Sequence, residues 1–133
     1  MREFIFRGWS SYHKRWVYGA LVTAGDFCCI LEEDDGTNYD YPYLDNDLGI
    51  IDGNITPVDP KTVGQWTGRV DKNGKKIFDG DIVRAVMDYG PAGSEINIVC
   101  ISWHDKLGYQ WEYFDMNTIE VIGNKWDNPK MIM

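Results

Sequence analysis

The feature that most constrains this fold is the recurrence of turn residues between short apolar runs. Gly, Asn, Asp and Pro bound these runs throughout the 133-residue chain. No segment keeps the i, i+3, i+4, i+7 apolar spacing over the length of a helix. Short β-rich runs bounded in this way are typical of strands joined by turns. The sequence therefore predicts a mostly β protein, and its length suits one domain, or one small domain with an appendage.

The first part of the chain predicts β-hairpins. Strands are expected at residues 3–9, 15–22, 27–31 and 39–44. Asp35-Gly36 is a hairpin-type dipeptide between the last two, and Pro42 makes the fourth run an edge strand or an irregular segment. We assign residues 1–57 to an N-terminal β-hairpin region with acidic loops.

The stretch 58–84 holds the densest turn signals. Asp59 can cap a short helical turn that has Pro60 at its first position. Asn73-Gly74 supplies the positive-φ positions of a hairpin between strands at 65–70 and 75–78. Asp79-Gly80-Asp81 then shapes a corner, with its side chains bonding nearby backbone N–H groups.

The second half of the chain predicts a small barrel. After the corner, further strands are expected at residues 82–87, 95–103, 109–114 and 118–122. Short strands at this regular spacing, separated by turns, are typical of a small barrel or sandwich. We predict that residues 58–133 form an SH3-like small barrel domain, with the N-terminal hairpins docked on it or projecting from it.

Charge excludes several functions. The net charge is −8, and residues 1–60 hold four Lys/Arg against eleven Asp/Glu. No basic residue lies between Arg15 and Lys61. Direct nucleic-acid binding needs clustered Lys or Arg and is therefore not expected, and an acidic membrane surface would repel the chain. The chain also has neither a signal-peptide core nor an apolar run as long as a membrane span, so we expect a cytoplasmic protein.

The acidic segment from Glu32 to Asp59 allows two interpretations. It can be a set of solvated loops, since charge runs are usually exposed faces. It can also mimic the phosphates of DNA and occupy a host DNA-binding protein. The candidate residues for that contact are Glu32, Glu33, Asp34, Asp35, Asp45 and Asp47.

Nothing in the sequence predicts catalysis, a cofactor or a metal site. Cys28, Cys29 and Cys100 have neither disulfide nor zinc spacing and are expected to be buried thiols. His104-Asp105 pairs a base with a carboxylate, but neighbours in a turn rarely face each other. Asp79 and Asp81 lack the remaining ligands of a calcium loop.

Aromatic residues offer the other candidate surface. Trp66, Trp103, Tyr109 and Trp111 are expected to lie on the barrel. They can fill its small core, or they can line a groove that accepts extended or proline-rich peptides, as many SH3-like barrels do.

Five segments resemble the YopX family of phage and prophage proteins. They are VDPKTVGQWTG (58–68), DKNGKKIFDGDIVR (71–84), FRGW (6–9) with VYG (17–19), and EVIGNKWDNP (120–129). Trp66 stands where we expect Tyr in the family pattern, and Asp79 where we expect Glu. The resemblance implies a C-terminal SH3-like barrel and a phage or prophage origin, hence a bacterial host cytoplasm. It implies no activity, because the family has no assigned chemistry.

These observations favour a non-enzymatic protein-interaction module whose partner is a protein of unknown identity. A homo-oligomer is one such arrangement, with the N-terminal hairpins pairing between subunits. The alternative is an acidic inhibitor of a host DNA-binding protein. An enzyme of unknown class comes third.

Overall fold

The computed structural model describes residues 4–32, 44–45, 50–51 and 55–132. Within these residues the chain is mostly β, as predicted, and its helical elements are single 3₁₀ turns. None of the described helical turns is long and apolar enough to cross a membrane. The chain divides into an N-terminal unit that ends at Gln65 and a C-terminal unit that begins at Trp66.

The N-terminal unit is an antiparallel sheet. Its strands are β1 (Phe6–Ser10), β2 (Arg15–Ala24), β3 (Phe27–Glu32), β6 (Ile55–Pro57) and the first two residues of β7 (Gly64–Val70). The spatial order is β6-β3-β2-β1-β7. Two short strands, β4 (Leu44–Asp45) and β5 (Ile50–Ile51), pair with each other. The hairpins β1–β2 and β2–β3 lie where strands were predicted at residues 3–9, 15–22 and 27–31, whereas the predicted Asp35-Gly36 turn lies outside the described residues.

One face of this sheet forms a small core. Val17 on β2, Ile30 on β3 and Val58 are buried together. Phe6, Leu21, Cys28 and Val63 pack against them from partly buried positions. Alternation along the strands explains the set, because Val17 and Leu21 lie two pleats apart on the same face.

The predicted helical turn is a 3₁₀ turn, Pro60–Thr62. The Asp59 carboxylate accepts the Lys61 N–H at 3.0 Å, as a capping residue should. The Thr62 hydroxyl accepts the Trp9 N–H at 2.8 Å and donates to the Asp59 carbonyl at 2.7 Å. This turn therefore joins the chain after β6 to the end of β1.

The C-terminal unit contains a hairpin and a three-stranded antiparallel sheet. The hairpin joins β7 to β8 (Lys76–Phe78). The sheet has β9 (Asp81–Asp88) between β10 (Ser94–Cys100) and β11 (Glu120–Asn124). Two further 3₁₀ turns cover Gly90–Ala92 and Pro129–Ile132.

The hairpin turn is organised by the buried carboxylate of Asp71. Its Oδ1 accepts the N–H groups of Asn73 and Lys75, each at 2.9 Å. Its Oδ2 accepts the N–H of Val121 on β11 at 3.0 Å. The prediction of positive φ at both central positions was half right. Gly74 has φ +82°, but Asn73 is not among the positive-φ residues.

The corner at residues 79–81 forms where it was predicted, with Asp81 as the carboxylate that bonds a backbone N–H. Asp81 is buried, and its Oδ2 accepts the Phe78 N–H at 2.8 Å. Gly80 has φ +94°, and its α-carbon faces the Trp126 ring, so a β-carbon there would overlap the ring. The carboxylate and the glycine together turn β8 into β9.

The predicted strand at 109–114 is wrong, and the described strands do not close into a barrel. Tyr109, Trp111 and Phe114 all pack against the core made by Ile77, Val83, Ala85, Ile101 and Ile119. A strand could not direct all three rings to one side, because their spacing changes from two residues to three. The chain turns instead, and the Phe114 N–H donates to the Trp111 carbonyl at 3.0 Å.

Candidate aromatic cleft

An open cleft of about 370 Å³ lies in the C-terminal unit. That volume is within the range of small-ligand pockets. Ile101, directly after β10, is a buried lining residue, and Val99 on β10 and Phe114 are half-buried. The other lining residues come from β9, from β10 and the chain that follows it, and from the turns before β11: Met87, Cys100, Ser102, Trp103, His104, Gly108, Tyr109, Gln110, Trp111, Glu112 and Tyr113.

Backbone hydrogen bonds hold the irregular segment that forms the cleft. His104 and Gly108 bond each other in both directions, at 3.1 and 2.7 Å, and close a tight turn. The Asp88 N–H donates to the Tyr113 carbonyl at 2.8 Å, and the Asp115 N–H to the Val86 carbonyl at 2.9 Å. These bonds attach the segment to the edge of β9, so the cleft is positioned by the sheet.

The aromatic rings form a continuous series of contacts. Trp103 meets Tyr109 edge to face, with centroids 5.1 Å apart. Tyr109 lies 6.3 Å from Trp111, and Trp111 lies 5.8 Å from Phe114. Such pairs stabilise one another beyond their simple area of contact. Trp103 is 55% exposed, so the series runs from the core to an accessible ring.

The structure brings three of the four predicted aromatic residues together. Trp103, Tyr109 and Trp111 line the cleft, whereas Trp66 does not. The Trp66 indole donates to the Arg69 carbonyl at 2.9 Å, and the Lys76 ammonium lies 5.1 Å from its ring centroid. Trp66 therefore contacts its own hairpin, β7–β8.

Polar groups around the cleft are few. The Tyr109 hydroxyl donates to Asp79 Oδ2 at 3.3 Å. His104 Nδ1 accepts the N–H groups of Lys106 and Leu107, each at 3.2 Å. This bonding places the proton of the neutral ring on Nε2, which is then a donor and not a base. The predicted turn at His104 is confirmed, and the bonding does not favour a catalytic role.

Sequence reasoning missed several residues of the cleft. Glu112 and Tyr113 are exposed at its rim, and Met87 lines it from β9. The available signal was the run YQWEYF, residues 109–114, in which four of six residues are aromatic. A strand over residues 109–114 would place alternate side chains on opposite faces, so the strand prediction did not bring these rings together.

Of the predicted acidic contact residues, only Glu32 has a described side chain. Arg15 binds it through two hydrogen bonds, at 2.8 and 3.3 Å, and the Thr56 hydroxyl donates to it at 2.6 Å. Partial burial would raise the pKa of Glu32, but these hydrogen bonds and the Arg15 charge hold it below its ordinary value. Glu33, Asp34, Asp35, Asp47 and the Asp45 side chain lie outside the described residues.

The carboxylates and thiols of the described part have structural surroundings. Asp79 accepts from Tyr109, and Asp81 from Phe78. Cys29 is buried, which raises the pKa of its thiol, while Cys28 and Cys100 are half-buried. Among the described residues, no three His, Cys, Asp or Glu side chains are grouped to hold a metal ion.

Fold and cleft together define a mostly β protein whose C-terminal unit carries an open aromatic groove. The chain belongs to the YopX family: the family model described as "YopX protein" matches residues 5–133. Among solved structures it is similar to protein EF1440 from Enterococcus faecalis, with a TM-score of 0.55 and 22% identity over 100% of both chains. At that identity the likeness shows a shared fold. A comparison with curated proteins finds no match.

Proposed function

We propose that this chain is a non-enzymatic protein-interaction module of a phage or prophage, and that an extended peptide lies across the aromatic cleft. One observation carries the proposal. Trp103, Tyr109 and Trp111, which the sequence predicts either to fill the core or to line a groove, meet in one open cleft. Flat rings give a peptide a large contact area at a low cost in side-chain entropy, and aromatic-lined grooves recur among peptide-binding domains.

The chemistry of the rim supports a peptide over a reacting substrate. Trp103 and Tyr113 are exposed aromatic rings, and Glu112 adds one exposed carboxylate. A catalytic site needs a base or nucleophile held by an orienting neighbour. His104, whose Nδ1 is occupied by two backbone donors, does not meet that requirement. An enzyme of unknown class therefore stays the third candidate.

The acidic alternative has less support. Glu32 is engaged by Arg15 and Thr56, and an engaged carboxylate attracts a basic partner less strongly than an open one. The side chains of the other residues of that proposal lie outside the described part of the chain. Recovery of basic, DNA-binding proteins from host lysate at low salt, and their release at high salt, would revive this alternative.

Peptide titration tests the proposal. The full chain is titrated with a synthetic panel of extended and proline-rich peptides while tryptophan fluorescence is recorded. We expect saturable quenching by a subset of the panel. Trp103→Ala should weaken that binding by on the order of thirtyfold, as for an exposed hot-spot ring. The matched control is Tyr12→Ala, which removes an 88% exposed ring from the N-terminal unit and should leave binding unchanged.

Two results would overturn the proposal. The first is the absence of quenching by any member of the panel. The second is quenching that Trp103→Ala leaves intact although circular dichroism shows a folded variant, because binding would then lie elsewhere on the chain.

A further inference from the structure

Strand β10 is an edge of the three-stranded sheet in the C-terminal unit. Its pairing with β9 runs without interruption from Ser94↔Asp88 to Cys100↔Ile82. The Ile101 N–H continues that ladder and donates to the Asp81 carbonyl at 2.8 Å. Backbone groups alternate between the two edges of a strand. The backbone groups of Ile101 are directed toward β9, and so are those of Val99 and Asn97. The N–H and C=O groups of Ile96 and Ile98 are therefore directed away from β9.

Strand β10 itself lacks the features by which an edge strand usually protects its edge. Natural sheets block their edges with proline, lysine, bulges or very short strands. In the N-terminal unit, the edge strand β6 is three residues long and ends in Pro57. At the opposite edge of the sheet that contains β10, strand β11 carries a register shift between Val121 and Gly123. In contrast, β10 is seven residues long and contains no proline, no basic residue and no bulge.

Two exposed isoleucines accompany the outward backbone groups. Ile96 is 70% exposed and Ile98 is 50% exposed, although the turn Pro129–Ile132 lies near this strand. Both side chains lie on the same face, opposite Val86 and Arg84 of β9. Arg84 is paired with Glu120 at 2.7 Å, so no unpaired charge directly borders the two isoleucines on that strand.

We propose that β10 of a second copy of this chain pairs antiparallel with this edge, about a two-fold axis at Asn97. The strand is self-complementary in that register. Ile96 of each copy lies opposite Ile98 of the other, and all four residues present outward backbone groups. Glu95, the one charged residue of β10, lies opposite Val99 and does not meet its own copy. The pairing joins two three-stranded sheets into one sheet, and each apolar cross-strand pair adds stability.

The charge of the chain sets the salt dependence of this dimer. Each copy carries a net charge of −8, so two copies repel at long range, while the contact itself is made by backbone groups and isoleucines. Salt screens the repulsion and leaves the contact. The dimer dissociation constant therefore falls as salt is added, whereas an interface made by ion pairs would weaken. This surface differs from the pairing of N-terminal hairpins considered above. Val99 and Cys100 of β10 also line the cleft, whereas Ile96 and Ile98, which carry the pairing, do not.

Sedimentation velocity of the full chain over a concentration series tests this inference. We expect a reversible monomer–dimer equilibrium. Ile98→Lys should raise the dissociation constant by on the order of tenfold, since it alters both Ile96–Ile98 pairs. Ile98→Pro removes an outward N–H that β9 does not use, and should have a similar effect on the ladder. Val70→Lys is the matched control at a 47% exposed strand position of the same unit.

Near-UV circular dichroism of each variant establishes that it is folded, and either β10 variant alone suffices for the test. A chain that stays monomeric at every concentration would contradict the inference. So would a dimer that both Ile98 variants leave unchanged. If Phe27→Lys abolishes the dimer and the Ile98 variants do not, the interface lies on the N-terminal hairpin β2–β3 and the inference is wrong.

Discussion

The two units use a carboxylate in different ways. In the N-terminal unit, Glu32 is bound by the side chains of Arg15 and Thr56 at a partly exposed site. In the C-terminal unit, Asp71 is buried and accepts three backbone N–H groups, one of them from Val121 on a distant strand. A surface ion pair contributes little because water and salt screen it. A buried carboxylate that satisfies backbone donors is much harder to replace.

Two carboxylates that accept backbone N–H groups hold the turns of the C-terminal unit. Asp71 joins the β7–β8 turn to β11, and Asp81 holds the corner between β8 and β9. The sheet positioned in this way carries the aromatic cleft. We conclude that Asp71 and Asp81 hold in place the strands on which the proposed binding surface is built.

The largest effect is expected for Asp71→Ala. The change leaves three partly buried backbone donors without their acceptor, among them the Val121 N–H. We expect the free energy of unfolding to fall by on the order of 3 kcal/mol. Urea denaturation followed by tryptophan fluorescence measures the change. Asp88→Ala is the matched control, because its carboxylate accepts one exposed N–H, from Gly90. An equal loss in both variants would show that burial of the carboxylate is unimportant.

The next largest effect is expected for Gly80→Ala. The new methyl group would overlap the Trp126 ring, and φ at this position is +94°. Gly74→Ala imposes a comparable positive φ, +82°, but the added methyl group meets no atom within 4 Å. We expect the Gly80 variant to lose about 2 kcal/mol more stability than the Gly74 variant. Thermal unfolding of the two variants measures the part of the stability loss that comes from the overlap with Trp126. Equal losses would mean that the Trp126 ring moves aside without a measurable loss of stability.

The free energy of unfolding, measured as a function of pH, tests whether the Asp71 carboxylate stabilises the fold in its charged form. Burial alone would raise the pKa of Asp71, but three backbone N–H donors and the Lys75 charge outweigh it and lower the pKa. A lowered pKa means that the unfolded chain binds the proton more tightly. The stabilisation is then complete above the unfolded value, about pH 4, and is lost as the pH falls through the folded value.

The matched variant for this titration is Asp71→Asn. We expect the difference in free energy of unfolding between the wild-type chain and Asp71→Asn to be constant at neutral pH and to shrink below about pH 4. Urea midpoints across the acidic range measure it. A difference that grows as the pH falls would give the Asp71 pKa the opposite sign of shift.

The smallest effect is expected for Glu32→Gln. Its pair with Arg15 is partly exposed, and such pairs contribute about 0.2–1 kcal/mol. A double-mutant cycle with Arg15→Gln isolates the coupling between the two side chains. A coupling as large as the loss in Asp71→Ala would remove the contrast between the two units.

Local chemistry made much of the fold predictable. The cap at Asp59, the glycine at position 74 and the corner at residues 79–81 each depend on neighbours within a few residues. Long-range contacts were not predictable. The hydrogen bond from the Val121 N–H to Asp71 joins residues 50 positions apart in sequence, and no local sequence pattern predicts it. The barrel was expected because residues 109–114 were counted among several short strands at regular spacing, whereas their rings share one core.

The cleft was predictable in its residue types and not in its shape. Trp103, Tyr109 and Trp111 could be named because exposed sites are often built from large rings. Trp66 was included for the same reason, yet its indole bonds to Arg69 within its own hairpin. Which rings meet depends on the turns at His104–Gly108 and Trp111–Phe114, and tertiary packing decides those turns.

The central claim is that partner binding lies in the cleft of the C-terminal unit. Its most direct test is chemical-shift mapping of the ¹⁵N-labelled chain with whichever panel peptide quenches tryptophan fluorescence most strongly. We expect the largest shifts at Met87, at residues 99–104 and at residues 108–114, with the Trp103 and Trp111 indole N–H signals among them. Shifts confined to residues 15–32 of the N-terminal hairpins would contradict the claim.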